Sequence, residues 1–204
     1  IQPDVVVVTS IASDHHRSFP TLLDTRDEKV KMIRALAADR VVLLNGDDPN
    51  VRWMASQTRA RVVCFGLDPG NDVRATALRE IEEGSEVEVH GLGEPRSVRT
   101  RFIGEHMVYP ALAALAVASI DRVEMDGAVT RLAALPPATS RLEPIALANG
   151  ATLVDDSYKA SLESVLASLE AFSRRRAGRK VVVIGPVEDP PDSAGAVHRE
   201  VGRR

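Results

Sequence analysis

Three polar clusters stand directly after apolar, strand-like runs, and their residue types and spacing suit chemistry. The first, Ser13-Asp14-His15-His16, follows Val5 to Val8 and the short tail Thr9-Ser10-Ile11-Ala12. Imidazoles beside a carboxylate are able to bind a divalent cation or orient a phosphate. Adjacent residues after a strand point in different directions, so the same string also reads as a hydrogen-bonded loop. The second cluster, Asn45 with Asp47 and Asp48, could hold an ion or a nucleotide hydroxyl, or it could be turn chemistry, for which these residue types are preferred. From local sequence the turn reading is the stronger. The third, Asp155-Asp156-Ser157-Tyr158-Lys159-Ala160, packs carboxylates, a hydroxyl, a phenol and an ammonium between a strand and a helix. The amides of that helix are also available to an anion. Helix capping accounts for Ser157 or Ser161 but leaves Tyr158 and the paired aspartates unexplained.

The elements that must position these groups read as α/β. Val5 to Val8 fits a strand buried on both faces, and Thr25 is a plausible cap for a helix on which Val30, Ile33, Leu36 and Ala37 recur at helical spacing. Arg40 then leads into a strand at Val41 to Leu44, completing a parallel unit. A short helix from Val51 to Thr58 and a strand from Arg61 to Phe65 follow. In such sheets ligands sit at the carboxyl ends of strands, where the clusters lie. Between Asp72 and Phe102 the pattern alternates, as in Glu86-Val87-Glu88-Val89, and predicts antiparallel strands in a small peripheral sheet. Helices are expected from Ala111 to Ile120 and from Asp126 or Gly127 to Leu135, with a domain boundary near Pro137 to Ser140. A strand at Thr152 to Val154, a helix carrying Leu162, Val165, Leu166 and Leu169, and a strand at Lys180 to Ile184 make a second α/β unit.

Composition narrows the partners. The chain has 204 residues, 44% hydrophobic and 27% charged, which is enough to bury a core. A net charge of -3 leaves no basic footprint for nucleic acid, and no apolar stretch is long enough to span a bilayer. The single cysteine, Cys64, rules out a disulfide framework and, inside Val62-Val63-Cys64-Phe65, reads as a small buried hydrophobe. No charged-then-apolar leader precedes the first strand, which suits a cytoplasmic protein, while both ends of the chain read as cut.

The order of the clusters carries a resemblance. Ser13-Asp14-His15, the helix with Glu28-Lys29, Asn45-Gly46-Asp47-Asp48-Pro49, Gly104-Glu105-His106, Ser140-Arg141-Leu142-Glu143-Pro144 and Asp155-Asp156-Ser157-Tyr158 together resemble the Mur ligase family. The aspartate-rich motif is similar to the branch that adds the terminal dipeptide to peptidoglycan precursors. The Ser-Asp-His-His loop and the Glu-Lys helix look closer to cyanophycin-synthetase-like branches. The resemblance implies a central ATP-binding domain over 1–138, with a mainly parallel sheet and a small antiparallel one, and an incomplete Rossmann-like C-terminal domain over 139–204.

It also implies an activity: ATP phosphorylates a substrate carboxylate, and an amine from an amino acid or peptide attacks the acyl phosphate. A carbamylated lysine and a histidine would help hold Mg2+ there, offsetting developing charge. His15 matches that histidine. Lys29 is the first choice for the lysine and Lys31 the second, because the spacing from His15 falls one residue short of the usual pattern. The resemblance puts Arg141 on the ATP phosphates, where a guanidinium can pair through two donors, and Asp156 near the ribose. Asn45 falls on the nucleotide side, and Tyr158 and Lys159 beside the substrates. Many relatives carry Asn where Lys159 stands.

Two departures accompany the resemblance. No G-x-x-x-x-G-K-[ST] phosphate loop exists anywhere in the chain, so the chain alone should not turn over. After Gly104-Glu105-His106, Met107 and Pro110 stand where the family has asparagines on the adenine side. The alternative is a Mur-like nucleotide- or peptide-binding scaffold without catalysis. A dinucleotide-binding protein is disfavoured because no G-x-G-x-x-G follows a strand.

Overall fold

The computed structural model describes residues 3–12, 18–81, 84–188, 190 and 192–203. The first cluster, with His15 and His16, lies outside the described residues.

One six-stranded sheet runs in order β1-β2-β3-β4-β5-β6. β1 (Val5–Val8), β2 (Val41–Asn45), β3 (Arg61–Gly66) and the start of β4 (Val73–Ile81) are parallel, while β4, β5 (Gly84–His90) and β6 (Arg96–Thr100) are antiparallel. The alternating stretch therefore continues the main sheet rather than forming a peripheral one. β4 changes partner along its length: Phe65 and Gly66 pair with Val73 and Arg74, after which the strand runs on with β5. A register shift between Thr76 and Arg79, with Ala77 at φ 53, marks a bulge there.

Side-chain alternation in β2 divides the core. Leu43 packs with Val63, Phe65, Val87, Val89 and Val98 beneath α3 (Val108–Ile120), whose Ala111, Leu112, Leu115 and Ala116 are buried. Val42 and Leu44 face the other way, onto Val30 and Ile33 of α1 (Leu22–Arg34) and Val51 of α2 (Pro49–Trp53). The unit is a sheet between helical layers, and α4 (Met125–Ala134) joins the α3 side through Leu132. Pro110 sits in the first turn of α3, where a helix tolerates a missing N–H.

α1 begins at Thr21, not Thr25. The Thr21 hydroxyl accepts from Asp24 N–H at 3.2 Å and Asp24 Oδ2 accepts from Thr21 N–H at 3.0 Å, a reciprocal cap that leaves Thr25 buried inside the helix. β1 is likewise not buried on both faces. It stands at the sheet margin, with Val8 buried and Val7 exposed.

Beyond α4, β7 (Glu143–Ala146) and β8 (Thr152–Asp155) form an antiparallel pair, followed by α5 (Leu162–Arg174) and α6 (Ala194–Val201). The expected strand at Lys180 to Ile184 does not form: no described strand pairs with it, and Val183 is 93% exposed. A β-branched run supplies propensity, but a strand needs a ladder partner. Among the described residues, no helix is long and apolar enough to cross a membrane.

Candidate functional site

Because β1, β2 and β3 are parallel, their carboxyl ends share one margin of the sheet. Asn45, at the end of β2, donates from Nδ2 to the Thr9 carbonyl at 2.9 Å and accepts from Asp47 N–H at 3.0 Å. Asp48 caps α2 by accepting from Asn50 N–H at 2.8 Å and Val51 N–H at 3.2 Å, and its other oxygen takes Ile11 N–H at 2.8 Å. Asp47 accepts from Leu67 N–H, Asp68 N–H, Asn71 Nδ2 and the Tyr109 hydroxyl, at 2.5, 3.2, 2.6 and 3.0 Å. Both carboxylates of the second cluster are thus committed to stitching strand ends together, which is the turn reading of that sequence. Asn45 keeps a second amide hydrogen and a carbonyl lone pair for another partner.

The two candidate lysines separate cleanly. Lys29 is half-buried on α1 and its Nζ donates to the Ser10 carbonyl at 3.1 Å, just past the end of β1. Lys31 is exposed and pairs with Glu28 at 2.5 Å. A helical step of two residues puts the side chains on different faces, so only Lys29 reaches the strand margin.

The third cluster forms around the chain's re-entry into β7. Asp155 accepts from the Ser140 hydroxyl at 2.9 Å and Ser157 N–H at 3.0 Å. Hydrogen bonds from Ser157 and Ser140 hold its carboxyl below the usual carboxylate range. Asp156 Oδ1 accepts from Leu142 N–H at 3.2 Å, and its Oδ2 accepts from the Ser168 hydroxyl on α5. Ser161, not Ser157, caps α5, in a reciprocal box with Ser164. The Arg141 guanidinium lies over the Tyr158 ring, 4.4 Å from its centroid, and Tyr158 is 69% exposed. Among the described residues no oxygen accepts from that guanidinium, so its donors are open while its plane is fixed by stacking. Ser140 and Leu142, on either side, have φ of 57 and 47. Left-handed backbone costs a non-glycine residue about 1–3 kcal/mol and persists only where its surroundings enforce it.

The stretch before α3 meets α5. Ile103, Leu142 and Ala171 are buried together, and Arg174 lies 3.9 Å from Glu105. Gly104 has φ +93, and a Cβ there would come within 2.9 Å of Ala171 Cβ and 2.8 Å of His106 Cε1, so the contact requires glycine. His106 is wedged into it. Burial pushes its imidazole below the ordinary pKa, against the opposing pull of Asp156, Glu105 and Glu170.

Sequence reasoning missed Ser168, Tyr109 and the buried environment of His106. Only His106 had a signal, its place in the Gly104-Glu105-His106 string. A cleft of about 230 Å3 lined by Arg61, Asp72, Leu92 and Ser119 contains none of the expected site residues. Among the described residues, no group of three or more His, Cys, Asp and Glu could hold a metal ion.

A family model described as the Mur ligase middle domain matches residues 1–118. The UDP-N-acetylmuramoyl-tripeptide--D-alanyl-D-alanine ligase of Mycobacterium tuberculosis (strain ATCC 25618 / H37Rv) is 30% identical over 209 residues, covering 98% of this chain and 41% of the relative. The Escherichia coli (strain K12) ligase of the same name is 26% identical over 203 residues, covering 98% and 45%. Among solved structures, MurF from Acinetobacter baumannii superposes with a TM-score of 0.89 at 26% identity, over 99% of this chain and 44% of that one. The MurF ligase of Thermotoga maritima in complex with ADP gives 0.87 at 24% identity, over 99% and 46%, a likeness of fold. The chain spans less than half the length of each of these relatives.

Proposed function

The chain belongs to the Mur ligase family, and on that premise we propose that the whole protein forms an amide bond between a carboxylate and an amino acid or peptide amine, using ATP and Mg2+. The substrate class we propose is the peptidoglycan precursor, which the names of the curated relatives support. Such nucleotide-linked small substrates also suit a cytoplasmic location. Residues 1–138 are read as the central domain and 139–204 as part of the C-terminal one.

The observation that carries the proposal is the Lys29 side chain, folded back onto the Ser10 carbonyl at the carboxyl end of β1. Lys29 thus reaches the residue that stands five positions before His15 in the sequence. Carbamylation would turn its ammonium into an oxygen donor, and with the His15 imidazole that is a sparse donor set. Sparse sets suit Mg2+, which keeps its waters and takes ligands from nucleotide phosphates rather than from a full protein cage. The bound metal would neutralise charge developing on the transferred phosphoryl and acyl groups.

The rest is positioning by the chain itself. Arg141, held over Tyr158 with its donors open, is suited to the phosphates, and Asp156 to a ribose hydroxyl. A carboxylate oxygen that already accepts one hydrogen bond has a lone pair left, so Asp156 can serve the hinge and the ribose together. Asn45 would meet the nucleotide from the β2 side with its remaining amide hydrogen. Tyr158 and Lys159, between β8 and α5, are assigned to the substrates. The amine would then attack the acyl phosphate that ATP forms on the substrate carboxylate, releasing phosphate.

The test is ADP release by the full-length protein across paired panels of carboxylates and amines. We expect ATP consumption that requires both partners, its loss in Lys29→Ala, and partial recovery when short-chain acids are added. Full activity in Lys29→Ala would remove this lysine from the mechanism. Nucleotide binding without turnover on any pair would favour a non-catalytic scaffold.

A further inference from the structure

The Ser140-Arg141-Leu142 turn is locked from several directions. Ser140 N–H donates to Glu143 Oε2 at 2.9 Å, the Ser140 hydroxyl donates to Asp155, and the Ser140 carbonyl accepts from Tyr158 N–H at 3.2 Å. On the far side of Arg141 the restraint is thinner. Leu142 is left-handed at φ 47, and its N–H has one acceptor, Asp156 Oδ1. The carboxylate that supplies it is itself held through its other oxygen, by the hydroxyl of Ser168. Ser168 lies in the middle of α5, the helix whose Ala171 packs against the buried Leu142 side chain.

We infer that Ser168 is a positioning residue for Arg141. By fixing the carboxylate plane of Asp156 it fixes the Leu142 amide, and so the left-handed turn that lays the guanidinium over Tyr158 and directs its open donors. With Ser168 removed, Asp156 can turn about its terminal torsion, the Leu142 N–H loses its aligned acceptor, and the strained φ relaxes. Arg141 would keep its charge but lose its direction. If Asp156 also meets the ribose, sugar binding and phosphate binding are then coupled through one carboxylate. The structural part stands on the geometry alone, and its bearing on catalysis rests on the function proposed above.

The experiment uses the full-length protein with Ser168→Ala, Ser168→Thr, Arg141→Ala and the Ser168→Ala/Arg141→Ala double variant. The first readout is the NMR shift of the Arg141 Nε–H, which the Tyr158 ring displaces. We expect it to move toward the free-arginine position in Ser168→Ala and to be retained in Ser168→Thr, with the melting temperature of both close to wild type. The second is steady-state kinetics. Ser168→Ala should raise KM for ATP roughly 3- to 10-fold, the scale of one typical hydrogen bond and less than a direct contact to a charged group because the effect on ATP is indirect, with a smaller change in kcat. In the Arg141→Ala background its effect should be smaller than in the wild type, because the part that passes through Arg141 is already lost. An unchanged Arg141 signal in Ser168→Ala overturns the inference whatever the activity, as does a KM effect that is fully additive with Arg141→Ala. A displaced signal in a full-length protein that never consumes ATP would instead uphold the positioning and sink the ligase reading.

Discussion

The Tyr109 hydroxyl donates to Asp47 Oδ2 at 3.0 Å, tying the first turn of α3 to the loop after β2 across 62 residues of chain. Burial first, and then the Asp47 charge, raise the phenol's pKa well above its ordinary value, so it remains a donor at any working pH. Asp47 also holds the loop after β3 through Leu67 and Asp68. Gly66 must be glycine for that approach, since a Cβ would lie 2.5 Å from the carboxylate.

We therefore expect Asp47→Ala to destabilise the fold by about 3 kcal/mol or more, because it leaves several donors without an acceptor, and Tyr109→Phe by about 1–2 kcal/mol. Urea unfolding measures both. An Asp47→Ala cost close to zero would mean that water replaces the carboxylate, and that the loops do not need it.

The pH dependence of stability follows from His106 and Asp155. Burial lowers the pKa of His106 below its ordinary value near 6.5. The unfolded chain then binds a proton more readily than the folded one, and the stability this represents is complete above that value and lost as pH falls below it. Asp155 is also held below its ordinary 3.8. Its contribution survives to lower pH and disappears only once the carboxylate is protonated. The melting temperature should be flat from pH 8 to 7, decline from about pH 6.5 toward 5, and fall again below about pH 4. His106→Leu should abolish the upper decline and keep the lower one. A melting temperature that rises on acidification through pH 6 would show that Glu105, Asp156 and Glu170 outweigh burial at this imidazole.

Period and punctuation made most of the fold legible. The valine run of β1, the alternation in β5 and the apolar α3 each carry their own signal, and the structure places them where the pattern does. The cap of α1 was misplaced because Thr21 and Thr25 are both threonines near the helix start. What separates them is Asp24, three residues after Thr21. The failure at Lys180 to Ile184 is of another kind, since strand propensity cannot reveal whether a partner strand exists to pair with it. At the candidate site the sequence exposed the groups with unusual chemistry but not the plain ones that hold them. Ser168 reads as an ordinary polar residue on an amphipathic helix, and its value lies entirely in a carboxylate 12 positions away. Asn45, Asp47 and Asp48 show the converse, looking like a ligand set while all three serve first as struts between strand ends.

Arg141 stacked on Tyr158 separates charge from shape in a way that substitutions can read. Lysine keeps the positive charge but has neither the planar fork nor the flat face that lies on the ring. In the full-length protein Arg141→Lys should therefore behave more like Arg141→Ala than like wild type, with KM for ATP raised at least about 10-fold, the factor that about 1.4 kcal/mol represents. Tyr158→Phe retains the ring face and should leave KM for ATP within about 2-fold of wild type, since the cation–π contact itself is worth only about 0.5–1 kcal/mol at an exposed site. Tyr158→Ala frees the guanidinium and should raise KM for ATP by several-fold. Equal KM values in Arg141→Lys and wild type would show that the site asks only for a positive charge, and that stacking has no part in presenting it to the nucleotide.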